Sequence, residues 1–250
     1  MSADEPAART ASPGFIPAGR YRASLSQQPM KVTAENGART TLTKYGHACV
    51  TIRKADRSLV IDPGLLTDGR KAWSGVDAVL ITHEHFDHFD PARLRGLTTV
   101  SPATQVYTCA GVAEHLADLG ERVHVLTDGD EVTVAGFTVR GVGSKHHYSH
   151  PDAPPVDNVG FLIDETVLHP GDALPDLRVP VLLAPGQAPW LTVPDLVTYL
   201  RRVRPGRTYA VHDGLLNEWG LQVLDGVLDM EARRSGSVVR RLTVGEIIEL

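Results

Sequence analysis

The sequence predicts an α+β fold in which mixed sheets carry helices on their outer sides. Short β-branched segments recur along most of the chain, helical stretches fall between some of them, and strands in the middle follow one another as hairpin neighbours. A regular βαβ repeat would place a helix after nearly every strand, and this chain does not.

Residues 1–36 are rich in Ala, Ser, Pro and Gly and show no apolar period, so they are expected to form a flexible tail, with Met30 as an alternative start. The folded unit is placed at residues 37–250. From Thr40 the segments TTLTKYG, ACVTIRK, SLVIDPG and DAVLITH read as strands of about five residues, each bounded by Gly, Pro or Asp. GVAEHLADLG reads as a helix with Gly120 just past its end, followed by strands VHVL, EVTVAG and FTVRGV. After the His-rich loop GSKHHYSH come VGFLID and TVLHPGD, with Glu165 in the turn between them. The last third predicts a buried strand in VPVLLAP, a helix in TVPDLVTYLRRV capped by Thr192, and a strand in RTYAVHDG. A helix within LLNEWGLQVLDGVLDMEARR and a final segment RRLTVGEIIEL complete the chain.

Composition narrows the function classes. The formal charge is −5 and the basic residues are scattered, so the footprint of a nucleic-acid-binding module is missing and no nucleic-acid partner is expected. No apolar run approaches the ~18 to 20 residues that span a bilayer, and Asp4, Glu5 and Pro6 stand where a signal peptide would have a basic start; a soluble, cytoplasmic protein is expected. Cys49 and Cys109 are the only cysteines, which excludes a disulfide framework and a thiolate zinc site. GxSxG, P-loop and GxGxxG motifs do not occur. The chain does contain 11 histidines.

The informative segment is LITHEHFDHFD, residues 80–90, a strand that runs into His83, His85, Asp87 and His88. A chance H-x-H-x-D-H is expected roughly 0.002 times in a chain of this composition. On a helix the i, i+2 histidines would diverge, whereas on extended chain His83, His85 and Asp87 project to one side. His88 breaks that period, so the backbone must turn near residues 86–88, and Asp90-Pro91 then reads as a helix cap and first position. Such a turn lets one segment serve two neighbouring ions. Imidazole and carboxylate ligands suit Zn²⁺ and also tolerate Mn²⁺ or Fe²⁺, so ligand type alone does not choose the metal; two divalent ions are expected, with Zn²⁺ as the first candidate.

With this string, KYGHACV, LVIDPG, HPGD and AVHDG, the chain from Thr40 to Leu250 resembles the metallo-β-lactamase superfamily, most closely its ascorbate-6-phosphate lactonase-like branch. The resemblance implies a four-layer αββα sandwich with a two-metal site at the strand ends. It implies that His83, His85 and a histidine of GSKHHYSH hold one ion, that Asp87, His88 and His212 hold the other, and that Asp172 bridges them. His146 is assigned as the loop ligand because it is the first histidine after FTVRGV; His147 is its rival, and His150 is a candidate substrate contact. Two dications roughly 3.5 to 4 Å apart need a shared anion, which gives Asp172 a physical reason of its own. Asp62 resembles the family's outer carboxylate that orients a ligand imidazole. His47 resembles a residue near the pocket mouth, His169 is a candidate outer residue, and His115 and His124 are expected to be structural.

The expected chemistry is attack by a metal-bridged hydroxide on a small-molecule lactone, ester, amide or phosphoester, with Asp87 orienting the nucleophile or passing a proton to the leaving group. Trp190 and the loop around His150 are candidate pocket walls. Two alternatives stand beside this reading: a phosphodiesterase or nuclease on the same fold, and a redox, iron-binding metalloprotein.

Overall fold

The computed structural model of the protein describes residues 39–73 and 75–250; the expected tail at residues 1–36 lies outside the described residues. Thr40–Gly46 (β1), Cys49–Lys54 (β2) and Arg57–Ile61 (β3) pair as an antiparallel meander, with Leu42 opposite Ile52 and Ile52 opposite Leu59. The helix Gly69–Ala72 (α1) leads into Ala78–Ile81 (β4), which joins β3 in parallel. Gln105–Thr108 (β5) and Val123–Val125 (β6) extend the sheet in the same sense. Parallel neighbours need crossovers, supplied by Pro91–Val100 (α2) and by Ala110–Glu114 (α3) with the 3-10 segment Ala117–Arg122.

The second half repeats this plan. Glu131–Val134 (β7), Phe137–Val142 (β8), Gly160–Ile163 (β9) and Val167–His169 (β10) are antiparallel, and Val181–Pro185 (β11), Arg207–Val211 (β12) and Val238–Arg241 (β13) continue in parallel. Val193–Val203 (α4) and Glu218–Ser235 (α5) make the crossovers. Ile247–Glu249 (β14) returns to pair with β1. Two seven-stranded sheets result, in the orders β14-β1-β2-β3-β4-β5-β6 and β13-β12-β11-β10-β9-β8-β7. Each is a meander on one side and a set of crossovers on the other, which is why no uniform βαβ repeat is visible in the sequence.

The pleat sorts side chains between two cores. Leu183 and Val181 on β11 face Leu42, Ile52 and Phe137 in the cluster shared by both sheets, while Leu182 and Ala184 face Leu196, Tyr199, Leu224 and Leu228 of α4 and α5. Leu94 of α2 and Val112 of α3 belong to the first cluster. Helices therefore flank two stacked sheets, the αββα sandwich expected. Among the described residues no helix is long and apolar enough to cross a membrane.

Most predicted elements form at the expected positions, and the capping chemistry explains where the helices begin. Asp90 accepts from the backbone of Ala92 and Arg93 ahead of Pro91, and Thr192 and Asp195 close a reciprocal capping box on α4. Such caps contribute about 1 kcal/mol each. One expectation is corrected. The segment 111–120 is not one helix: α3 ends at Glu114, and Gly120 sits inside the 3-10 segment at φ 57, a left-handed conformation that breaks the helical run. Within the final segment RRLTVGEIIEL, Gly245 at φ 85 turns the chain out of one sheet at Arg241 and into the other at Ile247. Strand β5 and helix α1 were not anticipated.

The site is set by where strands end. β3 stops before Asp62, β4 before His83, β8 before the loop to His146, β10 before Asp172 and β12 before His212, and the β1–β2 turn carries His47.

Candidate metal centre

The loop after β4 leaves the sheet extended and then folds on itself, with the amides of His88 and Phe89 both donating to the carbonyl of His85. This turn begins earlier than the alternation of His83, His85 and Asp87 suggested, and it separates the segment into two pairs. His83 and His85 lie with His146 and Asp172 in one group whose ligand atoms are all within 4.8 Å of each other; Asp87 and His88 lie with His212 and His47 in a second. Asp172 also touches the second group, with its carboxylate oxygens 3.2 Å from Nε2 of His88 and 3.2 Å from Nε2 of His212, as well as 3.3 Å from Nε2 of His146.

The hydrogen bonds around these rings decide what the inner atoms can do. His88 donates Nδ1–H to Asp62, His146 donates its Nδ1–H to the carbonyl of His147, and His212 donates its own to the carbonyl of Gln187. A neutral imidazole has one proton, so in that form each of these three rings turns a bare Nε2 lone pair inward, whereas His88 as imidazolium would present an N–H to Asp172. Those three Nε2 atoms and Oδ1 of Asp172 are enclosed and have no hydrogen-bond partner. Lone pairs of nitrogen facing carboxylate oxygens at 3.2 to 3.3 Å repel unless a positive charge lies among them. The donor set of imidazole and carboxylate therefore fits divalent cations.

The carboxylates draw positive charge to this point. Burial alone would disfavour charge on His88, but Asp172 and Asp62 on its two sides outweigh it and hold the ring well above the ordinary histidine range. Burial would likewise raise Asp172 and Asp87; the imidazoles of His88 and His212 near Asp172 hold it well below the carboxylate range, and the His47 bond with the neighbouring imidazoles brings Asp87 down to about 2. Burial pushes His83, His85 and His47 below the usual value, which keeps their rings neutral.

Two backbone positions show what the fold gives up to build this site. Asp62 at φ 50 and His212 at φ 59 occupy the left-handed region, a conformation that costs non-glycine residues of order 1–3 kcal/mol. Both follow a strand end and turn a side chain into the cluster. Asp62 accepts from the backbone and hydroxyl of Thr82 and from His88, and the same hydroxyl lies 3.0 Å from Nδ1 of His83.

Residues 41–212 match the family model of the beta-lactamase superfamily domain. The chain belongs to the metallo-β-lactamase superfamily. Protein Rv0786c of Mycobacterium tuberculosis is 37% identical over 182 residues, covering 70% of this chain and 84% of its own. A UPF0173 metal-dependent hydrolase of Methanosphaerula palustris is 35% identical over 108 residues, 43% of this chain and 45% of its own. Among solved structures, Igni18, a metallo hydrolase from Ignicoccus hospitalis, superimposes with a TM-score of 0.64 at 18% identity, over 84% of this chain and 98% of that one. The chain thus shares its fold with a protein described as a metallo hydrolase and part of its sequence with one described as a metal-dependent hydrolase.

Within this superfamily member, the structure brings together His83, His85, Asp87, His88, His146, Asp172 and His212, with Asp62 directly behind His88. His147 is half-exposed outside both groups and stacks on Trp190, ring centroids 4.8 Å apart. His150 is exposed and closes its own turn by accepting from the Asp152 amide, so it joins neither group. His169 fixes the HPGD turn, bonding the Ala48 carbonyl and accepting from Gly171. His115 pairs with Glu84 and His124 with Gln105, away from both groups. The sequence named His47 and Trp190 without the contacts they make, and it did not single out Asn158. His47 is packed inside the second group and not at a mouth; Trp190 donates its indole N–H to Oδ2 of Asp172 at 2.9 Å; and Asn158 accepts from the Asp172 amide. Gly171, at φ 61, has no room for a Cβ, which would meet Asn158 Oδ1 at 2.4 Å and Thr82 at 2.7 Å.

Proposed function

We propose that this protein is a hydrolase with a two-cation centre that acts on a small organic substrate: a lactone, ester, amide or phosphoester. The carrying observation is the convergence of four enclosed atoms that hold lone pairs and lack partners, Nε2 of His88, His146 and His212 and Oδ1 of Asp172. His83, His85 and His146 would hold one cation, Asp87, His88 and His212 the other, and Asp172 reaches both groups. Bound dications would lower the pKa of a shared water from about 15.7 toward ~7 and polarise the substrate oxygen that gains charge. Zn²⁺ fits this nitrogen and oxygen set best, with Mn²⁺ and Fe²⁺ also compatible.

The chain's own groups do the rest. Asp87 stays ionised across the working range and can orient the nucleophile or pass a proton to the leaving group. Asp62 keeps the proton of His88 on Nδ1, and thereby keeps Nε2 available. The Trp190 ring, stacked on His147 and partly exposed, supplies an apolar wall beside Asp172 that suits an organic ligand. Lys145, next to His146 in the chain, is already paired with Asp157 at 2.5 Å, which favours a neutral or singly charged substrate over a polyanion. KYGHACV, HPGD and AVHDG support placement in the lactonase-like branch.

Metal analysis of the purified protein with a panel of lactones, thioesters and bis-p-nitrophenyl phosphate tests the reading. Turnover of a lactone or ester that requires bound zinc or manganese supports it. Bound iron with oxygen-dependent oxidation, and no hydrolysis, would replace it with the redox reading that the same donor set permits.

A further inference from the structure

His47 shares a group with Asp87, His88 and His212 that is spaced for a cation, and a simple count of ligand atoms would make it a third imidazole of that site. Its hydrogen bonds have the opposite polarity to those of its neighbours. His88, His146 and His212 each face an acceptor with Nδ1; Nδ1 of His47 faces a donor, the amide of Gly214, at 2.9 Å. A nitrogen that accepts from an N–H is unprotonated, so the single proton of the neutral ring is on Nε2. An imidazolium would set two N–H groups against each other and is excluded by the same contact. Nε2 lies 3.0 Å from Oδ2 of Asp87, so its N–H donates to that carboxylate and has no lone pair left for a cation.

The surroundings hold this arrangement. The His47 carbonyl accepts from the amide of His212, and its side chain is fully enclosed with its ring 3.9 Å from that of His212. A Cβ on Gly214 would come within 3.0 Å of Nδ1 and 3.1 Å of the His47 Cβ, so the absence of a side chain there allows the amide its approach. We infer that His47 is a positioning residue that holds Asp87 by a hydrogen bond from Nε2–H, and that it is not a metal ligand. The inference rests on the two-cation reading for its consequence, which is that His47 fixes the orientation in which Asp87 meets the centre, Oδ2 lying 3.0 Å from His47 Nε2 and 3.6 Å from Nε2 of His212.

Long-range ¹H–¹⁵N correlation spectra of histidine-labelled protein, metal-free and zinc-loaded, read the tautomer directly, with the His47→Gln spectrum assigning the signals. A protonated Nε2 and bare Nδ1 in both states is expected; a bare or metal-bound Nε2 overturns the inference. The variants give a second readout. In His47→Gln the side-chain amide can donate to Asp87, so zinc per chain at saturation should equal wild type. His47→Ala should keep that count but bind the second ion about 10- to 100-fold more weakly. Loss of one ion per chain in His47→Gln, with wild-type circular dichroism, overturns the inference. If wild-type protein binds no cation, the two-cation reading fails, and the metal-free tautomer still decides the role of His47.

Discussion

His88 donates Nδ1–H to Oδ2 of Asp62 at 2.7 Å, and both side chains are wholly enclosed. The contact sets which nitrogen of His88 faces the centre, and Asp62 also accepts from the amide and hydroxyl of Thr82. Asp62→Ala would strand three buried donors, the Thr82 amide, the Thr82 hydroxyl and His88 Nδ1–H. It should lower stability by about 2–4 kcal/mol and weaken metal binding about 10- to 100-fold. Urea unfolding and zinc titration measure the two effects, and an unchanged zinc affinity would count against the role given to Asp62.

His146 and His147 are adjacent but differ in burial and in what they face. His146 is enclosed with Nε2 3.3 Å from Asp172, while His147 is half-exposed against Trp190. His146→Ala should lose bound metal and nearly all activity. His147→Ala should keep its metal and change KM more than kcat. The reverse order in metal content would show that the other histidine is the ligand.

Trp190→Phe keeps an aromatic ring for His147 and removes the N–H that Asp172 accepts, together with part of the indole's area. Metal affinity should fall roughly tenfold with little change in Tm. Competition with a chelator of known affinity gives the number, and an affinity equal to wild type would mean that this hydrogen bond does not orient Asp172.

Acid stability has a contribution far from the metal site. Arg240 and the amide and hydroxyl of Thr243 hold Glu246 at about 2, in the turn that carries the chain from one sheet to the other. A carboxyl depressed in the folded state contributes stability above its unfolded value near 4.5 and loses it as pH falls toward 2. Glu246→Gln should cost on the order of 1 kcal/mol at pH 6 and nothing at pH 2, after allowance for partial exposure. Thermal melts of both proteins at the two pH values should converge at the lower one; parallel curves would contradict the assignment.

The sequence made the candidate metal segment legible because its histidines and aspartate are close in the chain and follow a strand. Asp172 and His212 were readable for a related reason, each standing at a strand end where a side chain turns out of the sheet. The role of His47 was not readable: its tautomer is decided by Gly214, 167 positions away, through a backbone amide that leaves no side-chain signature. The Gln187 carbonyl that takes the His212 proton is invisible for the same reason. Trp190 was noted as a wall, but nothing local pairs its N–H with Asp172. At the C-terminal segment the signal was present, since Gly245 marks the turn, yet only the sheet order shows that its two strands belong to different sheets.

The central claim is tested most directly by counting divalent cations per chain in purified protein by mass spectrometry while a chelator is titrated in. Two ions per chain are predicted, with hydrolytic activity lost as they leave and regained when zinc or manganese is restored. Protein stripped of every ion that hydrolyses its substrate at the original rate would contradict the account.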